Sequence, residues 1–312
     1  MIKRVNFSNM SHEEWIEQRR KTIGGSDAGT IVGLNKYDSP YHLWCVKTGK
    51  IIPEDISGKE SVRLGHDLEQ YVADRFTEAT GKKLRKDNNF VYNTEIPFAH
   101  VQADRLVVGE RAGFEAKTSS SFEVVEMLRN GEYRGSWYAQ CVHGMMVTGF
   151  ERWYLGVLVF GHGFYWFTID RDEDEIKALR ESEADFWECV KNDTPPAMDG
   201  SQATTEALKA IYADSNDGTV ADLFSYGADL KQYMAIGEQI KELETMRNEL
   251  ANKVKGFMGE AAEGECGGFK VSWRSNTRRT FDSKRFIEEN PDIDMSDYWK
   301  ESSTRIFRVS EI

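Results

Sequence analysis

The feature that most limits the possible folds is the order of helical and strand-like segments between the amino terminus and residue 196. Short helices come first, strand-like runs follow, and then come a helix, two aromatic-rich strands and a charged helix. The two aromatic strands are separated by Gly161-His162-Gly163, which predicts a β-hairpin. This alternation predicts an α/β domain built on a mixed central sheet that is flanked by helices.

Changes in composition predict where this domain ends. Thr194-Pro195-Pro196 follows the charged helix and is typical of a boundary, so residues 1–196 form the predicted first domain. From Leu223 to Phe257 apolar residues recur mostly at intervals of three and four, which predicts one long helix or a helical hairpin in an extension over 197–260. Uninterrupted heptads are too few there to predict a coiled coil.

The segment 261–312 is predicted to be a small α+β module that is locally basic. A strand is expected from Phe269 to Arg274, a helix from Ser283 to Asn290 and a last strand from Thr304 to Val309. A solvated basic face is the common explanation of such arginines, and contact with DNA or with a partner protein is the alternative.

Composition restricts the class of protein. The chain has 312 residues, 40% of them hydrophobic, which suits an ordinary folded protein, and a net charge of -12, which argues against a protein that coats nucleic acid with its whole surface. Its four cysteines are scattered, so neither a zinc ribbon nor an iron-sulfur cluster is expected. The longest aliphatic run, near Leu155 to Phe160, is too short to span a bilayer. These features predict a soluble intracellular protein with no membrane partner.

Two carboxylates and an amine are expected to meet at one edge of the sheet. Strand-like runs from Ala99 to Val108 and from Arg111 to Lys117 form a predicted hairpin, with Asp104 on the first run and Glu115-Ala116-Lys117 on the second. Hard divalent cations prefer oxygen ligands, and a phosphate under attack needs a nearby positive charge. The hairpin alone also fits an ordinary surface turn.

Two further groups have a functional and a plain interpretation. Gly24-Gly25-Ser26 precedes a short helix that Ser26 is expected to cap, which predicts a phosphate cradle or a simple linker between helices. His66 and Glu69 are three residues apart on a predicted helix from Lys59 to Thr80, so both side chains point to the same side. They are either metal neighbours or a solvated surface pair.

Taken in order along the chain, these segments resemble the YqaJ-like viral recombinase family, the relatives of lambda exonuclease in the PD-(D/E)XK nuclease superfamily. The resemblance covers about residues 11–170, with a weaker echo in the carboxy-terminal module. The segments that carry it are Trp15-Ile16-Glu17-Gln18-Arg19, Ile23-Gly24-Gly25-Ser26, Gly33-Leu34-Asn35-Lys36-Tyr37, Gly65-His66-Asp67-Leu68-Glu69, Asp104, Glu115-Ala116-Lys117 and Tyr138-Ala139-Gln140.

The resemblance implies a role for each matching position. Glu69, Asp104, Glu115 and the backbone carbonyl of Ala116 would hold one or two Mg²⁺ ions, with Mn²⁺ able to substitute. Lys117 would orient or activate the attacking water, and Gln140 would help to position that water or Lys117. Separate roles are implied elsewhere: Arg19 and Ser26 would receive a 5'-terminal phosphate, and His66 would be a possible neighbour of the metal.

The resemblance also implies an activity and partners. The activity is a magnesium-dependent 5'→3' exonuclease on linear double-stranded DNA, which leaves 3' overhangs for a phage single-strand annealing protein. A homo-oligomer is implied, a trimeric ring in the best-known member, in the cytoplasm of a bacterial host and encoded by a phage or prophage. The alternatives are a RecB-type or structure-specific endonuclease, and a catalytically silent DNA-binding or assembly protein.

Overall fold

The structure is a computed structural model that describes residues 1–53, 55–300 and 304–310. It divides into an amino-terminal unit, Met1–Tyr212, and a carboxy-terminal unit, Ala213–Ile312. No helix among the described residues is both long enough and apolar enough to cross a membrane.

The amino-terminal unit alternates strands and helices as the order of segments predicts. Its elements are β1 Ile2–Asn6, α1 His12–Arg20, α2 Gly25–Ile31, α3 Pro40–Lys47, α4 Glu60–Thr80, β2 Leu84–Lys86, β3 Asn89–Asn93, β4 Ile96–Val101, β5 Arg105–Val107, β6 Ala112–Ser119, α5 Phe122–Arg129, α6 Gly135–Thr148, β7 Arg152–Val159, β8 Gly163–Asp170, α7 Glu173–Lys191 and α8 Gln202–Ile211. Helix α8 lies beyond residue 196 and packs against α3.

A mixed five-stranded sheet, in the order β2-β5-β6-β7-β8, forms the centre of this unit. Strands β6 and β7 are parallel, with Glu115 opposite Leu155, and the other neighbouring pairs in this sheet are antiparallel. The segment from α5 to α6 connects the two parallel strands, as a parallel pair requires. A second sheet, in the order β1-β3-β4, is antiparallel throughout.

Alternation along β7 explains why helices cover both faces of the sheet. Trp153 and Leu155 pack with residues of α6, whereas Tyr154 packs with Phe76 of α4 and Phe114 of β6. Successive side chains of a strand point to opposite faces, so two apolar sets along one strand need two covering layers. The predicted α/β domain with a mixed sheet flanked by helices is confirmed.

Local sequence features set the ends of several elements. Ser11 and Glu14 form a capping box at α1, Ser39 caps α3 ahead of Pro40, and Gly81 ends α4 with a φ of 72°. The Gly161-His162-Gly163 turn joins β7 to β8.

Two local predictions are wrong. The run from Ala99 to Val108 is not one strand, because the chain bends at 102–104 and passes from β4 of one sheet to β5 of the other. Ser26 does not cap α2. The cap is Gly24, whose backbone N–H donates to the Asp27 carboxylate, and Ser26 lies inside the first turn.

The carboxy-terminal unit contains a single long helix. Its elements are a short 3₁₀ turn at Phe224–Tyr226, α9 Gly227–Met258, the hairpin β9 Glu263–Cys266 and β10 Phe269–Ser272, α10 Ser283–Glu289 and a second 3₁₀ turn at Ser296–Tyr298. The predicted last strand, Thr304 to Val309, is wrong because these residues have no regular structure. Residues 311 and 312, which the predicted module included, lie outside the described residues.

Candidate active site

Strand β6 directs two polar side chains toward helix α6. Phe114 belongs to the apolar cluster on the α4 side, so the alternation along the strand places Glu115 and Lys117 on the opposite face. Gln140 comes from α6 on that face and contacts both. Glu115 and Lys117 lie inside the eight-residue strand β6 rather than at its end.

Lys117, Glu115 and Gln140 form a closed triangle of hydrogen bonds. Lys117 Nζ donates to Glu115 Oε1 and to Gln140 Oε1, both at 2.8 Å, and Gln140 Nε2 donates to Glu115 Oε1 at 2.6 Å. Burial alone would lower the pKa of Lys117, but the charges of Glu115 and Asp104 outweigh it and raise that pKa. Lys117 is thus an ammonium group held in place by its hydrogen bonds.

Asp104 joins the cluster through the bend between β4 and β5. Its Oδ2 accepts the backbone N–H of Ala116 at 2.8 Å, which ties the bend to the middle of β6. Burial, followed by the nearby charge of Glu115, raises the pKa of Asp104 well above its ordinary value, and burial also raises the pKa of Glu115. The buried carboxylate of Glu115 and the partly buried one of Asp104 therefore share Lys117 as their compensating charge.

Glu69 reaches the same region from α4 but is held by a different cation. Arg105, directly after Asp104, donates to the Glu69 carboxylate and to the Asp104 carbonyl, while its other terminal nitrogen donates to Gln70 at 3.2 Å. The guanidinium of Arg105 is buried. His66 lies one turn earlier on α4 with an exposed side chain.

The donor set fits a divalent cation in its chemistry and only partly in its arrangement. Asp104 and Glu115 supply one partly buried and one buried carboxylate, both with a raised pKa and with one lysine between them, which is the environment that an oxygen-preferring cation relieves. Within the described part of the chain, however, no three His, Cys, Asp or Glu side chains meet as a metal site. The third carboxylate, Glu69, would join such a set only by giving up its pairing with Arg105.

The predicted phosphate cradle is formed by two side chains. Arg19 Nη2 donates to Ser26 Oγ at 2.7 Å, and the guanidinium carbon of Arg19 lies 4.7 Å from the centre of the Trp15 ring. Arg19 presents a planar set of donors suited to phosphate oxygens, and Ser26 adds a hydroxyl. The structure therefore brings together the two residues assigned to the 5'-phosphate.

A buried ion pair beneath the cradle was not expected from sequence. Lys47 Nζ donates to the carbonyls of Arg19 and Thr22, at 2.9 and 2.8 Å, and to Asp27 at 2.6 Å. The same Asp27 carboxylate accepts the backbone N–H of Gly24 at 2.9 Å. Asp27 follows the glycines and was detectable from its place beside the cradle, whereas nothing local distinguishes Lys47 from an exposed lysine at a helix end.

The cradle and the carboxylate cluster are neighbours. A Cβ at Gly25 would lie 3.1 Å from Cγ of Gln140, so only a glycine allows α2 to approach α6 this closely. Gly29, one turn later, packs just as tightly on Ser136 of α6. Two groups predicted from separate parts of the sequence therefore lie next to each other in the fold.

Comparison with known proteins identifies relatives of this architecture. A family model described as the YqaJ-like viral recombinase domain matches residues 14–151. The chain is 36% identical over 309 residues to the uncharacterized protein YqaJ of Bacillus subtilis (strain 168), an alignment that covers 98% of this chain and 96% of that protein.

Among solved structures, the crystal structure of LHK-Exo shares the fold at low sequence identity. The crystal structure of LHK-Exo in complex with dAMP has a TM-score of 0.50 and 17% identity, and the match covers 64% of this chain and 98% of that chain. The crystal structure of the same alkaline exonuclease from Laribacter hongkongensis has a TM-score of 0.49 and 18% identity, with 58% of this chain and 94% of that chain covered. The identity to YqaJ along nearly the whole chain and the match to the family domain lead to one conclusion: the chain belongs to the YqaJ-like viral recombinase family, and its amino-terminal unit has the PD-(D/E)XK restriction-endonuclease-like fold.

Proposed function

We propose that the chain is a magnesium-dependent 5'→3' exonuclease that acts on linear double-stranded DNA and leaves 3' single-stranded overhangs for annealing. One observation carries the proposal: a hydrogen-bonded cluster of Asp104, Glu115, Lys117 and Gln140, in which Glu115 is buried and the other three are partly buried, lies beside the Arg19–Ser26 pair, with Gly25 against Gln140. Family membership and exonucleases among the proteins of similar fold support it.

Asp104, Glu115, Glu69 and the carbonyl of Ala116 would hold one or two Mg²⁺ ions, or Mn²⁺ in their place. Bound there, the cation supplies positive charge that stabilises the phosphate in the transition state. Glu115 and Gln140 fix the ammonium of Lys117, so it needs no reorganisation when negative charge develops on the phosphate. The side-chain amide of Gln140 orients the attacking water or Lys117.

Arg19 and Ser26 give the proposed enzyme its direction. In the described structure they bond to each other, and a terminal phosphate would replace that bond with charge-assisted bonds from both side chains. Because the cradle adjoins the carboxylate cluster, a 5'-phosphate held there would leave the first phosphodiester bonds of that strand close to Lys117. Cleavage then proceeds from the 5' end.

The proposed partners follow from this activity. The substrate is duplex DNA with a 5'-phosphate end, and the product strand is offered to a phage-type single-strand annealing protein in the bacterial cytoplasm. A homo-oligomeric ring, trimeric by resemblance, would enclose the duplex and leave an acidic exterior, in keeping with the net charge of -12.

The decisive experiment compares linear duplexes that carry a 5'-phosphate or a 5'-hydroxyl, with Mg²⁺ present and each strand labelled. We expect the 5'-ended strand to shorten, and faster with the phosphate. Arg19→Gln and Ser26→Ala should each remove the preference for phosphate, whereas Arg20→Gln, on the same helix and paired with Glu17, should keep it. Shortening from the 3' end would refute the proposal.

Two controls separate the competing functions. The first control is a covalently closed circular duplex, which has no 5' end for an exonuclease to use. Efficient cutting of such circles would favour an endonuclease. Isothermal titration with Mg²⁺ or Mn²⁺ separates the catalytically silent alternative, which has no reason to bind either ion. Glu115 is only 4% exposed, so a surface salt bridge does not explain its pairing with Lys117.

A further inference from the structure

Helix α9 of the carboxy-terminal unit exposes apolar side chains along its whole length. It runs without a break from Gly227 to Met258, and none of its 32 residues is buried. Helices in proteins gain most of their stability from an apolar face that packs against another part of the structure. A helix of this length with such a face therefore needs a covering surface.

The residues of the exposed face follow a heptad spacing with one polar interruption. They are separated alternately by three and four positions over eight successive sites, the spacing of the seam of a two-stranded coiled coil. In heptad notation the a positions are Tyr233, Ile240, Arg247 and Val254. The d positions are Ile236, Leu243, Leu250 and Phe257. The one interruption is Arg247.

The described residues of the carboxy-terminal unit leave this seam open. The exposed fractions of its apolar members range from 45% for Val254 to 94% for Phe257. Phe307 makes an edge contact with Tyr233, and the β9–β10 hairpin flanks the other end, where Trp273 and Leu250 line a shallow groove. The middle of the seam, around Ile240 and Leu243, is at least half exposed.

The charges along the seam indicate a second copy of the helix and the direction in which it runs. In a parallel pair, a positions face each other, so Arg247 would meet Arg247 of the other copy. In an antiparallel pair each a position lies level with a d position, and the register that uses all eight sites sets Arg247 level with Leu243. The adjacent e position, Glu244, then lies beside Arg247 of the other copy, twice by symmetry.

We propose that α9 pairs with α9 of a second copy of this chain as an antiparallel two-stranded coiled coil. Arg247 and Glu244 select the antiparallel direction, because the same residues that interrupt the apolar seam form two interhelical ion pairs there. Layers of Ile240 with Leu250 and of Ile236 with Val254 then cover the exposed face. This pairing is independent of any assembly made by the amino-terminal unit.

Cysteine cross-linking of the full-length protein tests the direction. The starting protein carries Cys266→Ser, because Cys266 is the exposed native thiol. With Ile240→Cys and Leu250→Cys together, mild oxidation should give a covalent dimer. The two positions cannot bridge within one helix, since ten residues span about 15 Å. Each single cysteine is the matched control, because position 240 faces position 240 only in a parallel pair.

Charge reversal tests the selecting residues in the same full-length background. Arg247→Glu and Glu244→Arg should each weaken self-association about tenfold by sedimentation equilibrium, since each places like charges together. The double variant restores opposite charges and should return to near the affinity of the unaltered protein. Lys241→Glu, whose position b points away from the seam, should have no comparable effect. DNA cleavage, which belongs to the other unit, verifies folding.

The outcomes are distinct. A covalent dimer from the cysteine pair and rescue by the double charge variant support the proposal. Equal or greater dimer from Ile240→Cys alone overturns the antiparallel direction. If no variant forms a cross-link and the charge reversals leave self-association unchanged, the pairing through α9 is overturned altogether, whatever the oligomeric state of the amino-terminal unit.

Discussion

At the scale of single residues, Lys117 is the group on which the proposed chemistry depends most. It is the shared cation of Asp104 and Glu115, and two hydrogen bonds of 2.8 Å fix its position. Lys117→Met should lower cleavage of linear duplex by at least about 100-fold, as loss of a preorganised group typically does. The rate in Mg²⁺ and a thermal melt measure the effect.

The matched control for this change is Lys191→Met. Lys191 also pairs with a glutamate at 2.7 Å, but both side chains are exposed at the end of α7. We expect normal cleavage from this variant and a folded protein in both cases. A Lys117→Met protein that cleaves at the normal rate would show that the cluster is not the active site.

His100 provides a pH prediction that concerns the stability of the fold rather than cleavage. Burial lowers its pKa to about 3, whereas the unfolded chain has an ordinary value near 6.5. Below pH 6.5 the unfolded chain binds a proton that the folded chain excludes, so this contribution to stability is present above 6.5 and is lost as the pH falls. Between pH 6.5 and 5 the loss amounts to at most about 2 kcal/mol.

His100→Asn should reduce the loss of folding stability between pH 6.5 and pH 5. The asparagine amide approximates the Nδ1 position that bonds Thr22 at 2.8 Å but does not titrate. Urea denaturation at pH 6.5 and at pH 5 measures the difference for each protein. The variant will be less stable at both values because its smaller side chain leaves space, and only the change between them is diagnostic. An equal acid loss in both proteins would contradict the assignment.

At the scale of elements, the packing of α2 on α6 connects the cradle to the cluster. A Cβ at Gly29 would lie 2.8 Å from the Cα of Ser136, a backbone atom that cannot rotate away. Gly29→Ala should therefore separate the helices, destabilise the protein by about 1–3 kcal/mol and reduce cleavage of 5'-phosphorylated duplex. Denaturant midpoints and cleavage rates measure the two effects.

Gly65→Ala is the corresponding control within a helix. A Cβ there meets only the Thr118 hydroxyl, at 3.9 Å, and alanine is the better helix former. We expect unchanged or slightly increased stability. Equal destabilisation by both substitutions would mean that the close approach of α2 and α6 is not responsible.

The elements also show what sequence can and cannot predict. The 161–163 turn depends on local sequence alone, so it predicted the hairpin of β7 and β8 correctly, and the order of segments predicted the sheet flanked by helices. The bend at 102–104 was not predictable, because it arises from the chain changing sheets. Lys47 and Arg105 escaped notice for the same reason: their partners, Asp27 and Glu69, are brought close by folding.

At the scale of the whole molecule, the apolar core belongs to the amino-terminal unit. Its buried hydrophobic residues run from Ile23 to Ala207, and none of the described residues after Tyr212 is buried. A chain ending at Tyr212 should therefore fold, with a denaturation midpoint equal to that of the amino-terminal unit in the full chain, and should cleave linear duplex. An insoluble or unfolded product would show that the unit needs the rest of the chain.

The match to the family model lies within the amino-terminal unit. The family domain matches residues 14–151, and the match to LHK-Exo covers 64% of the chain. The prediction of a PD-(D/E)XK fold and of the YqaJ-like family is confirmed, and the prediction of an exonuclease agrees with both. The assigned roles of Glu69, Arg19 and Ser26 stay predictions that the experiments above test.

The place of β6 in the sheet has a consequence for the cell that makes the protein. Glu115 and Lys117 depend on Gln140 and on pairing with β7, and both are synthesised later than β6. A nascent or prematurely terminated chain that stops before α6 therefore carries the acidic residues without the contacts that organise them. The proposed cutting centre is therefore complete only after α6 and β7 have been synthesised and packed against β6.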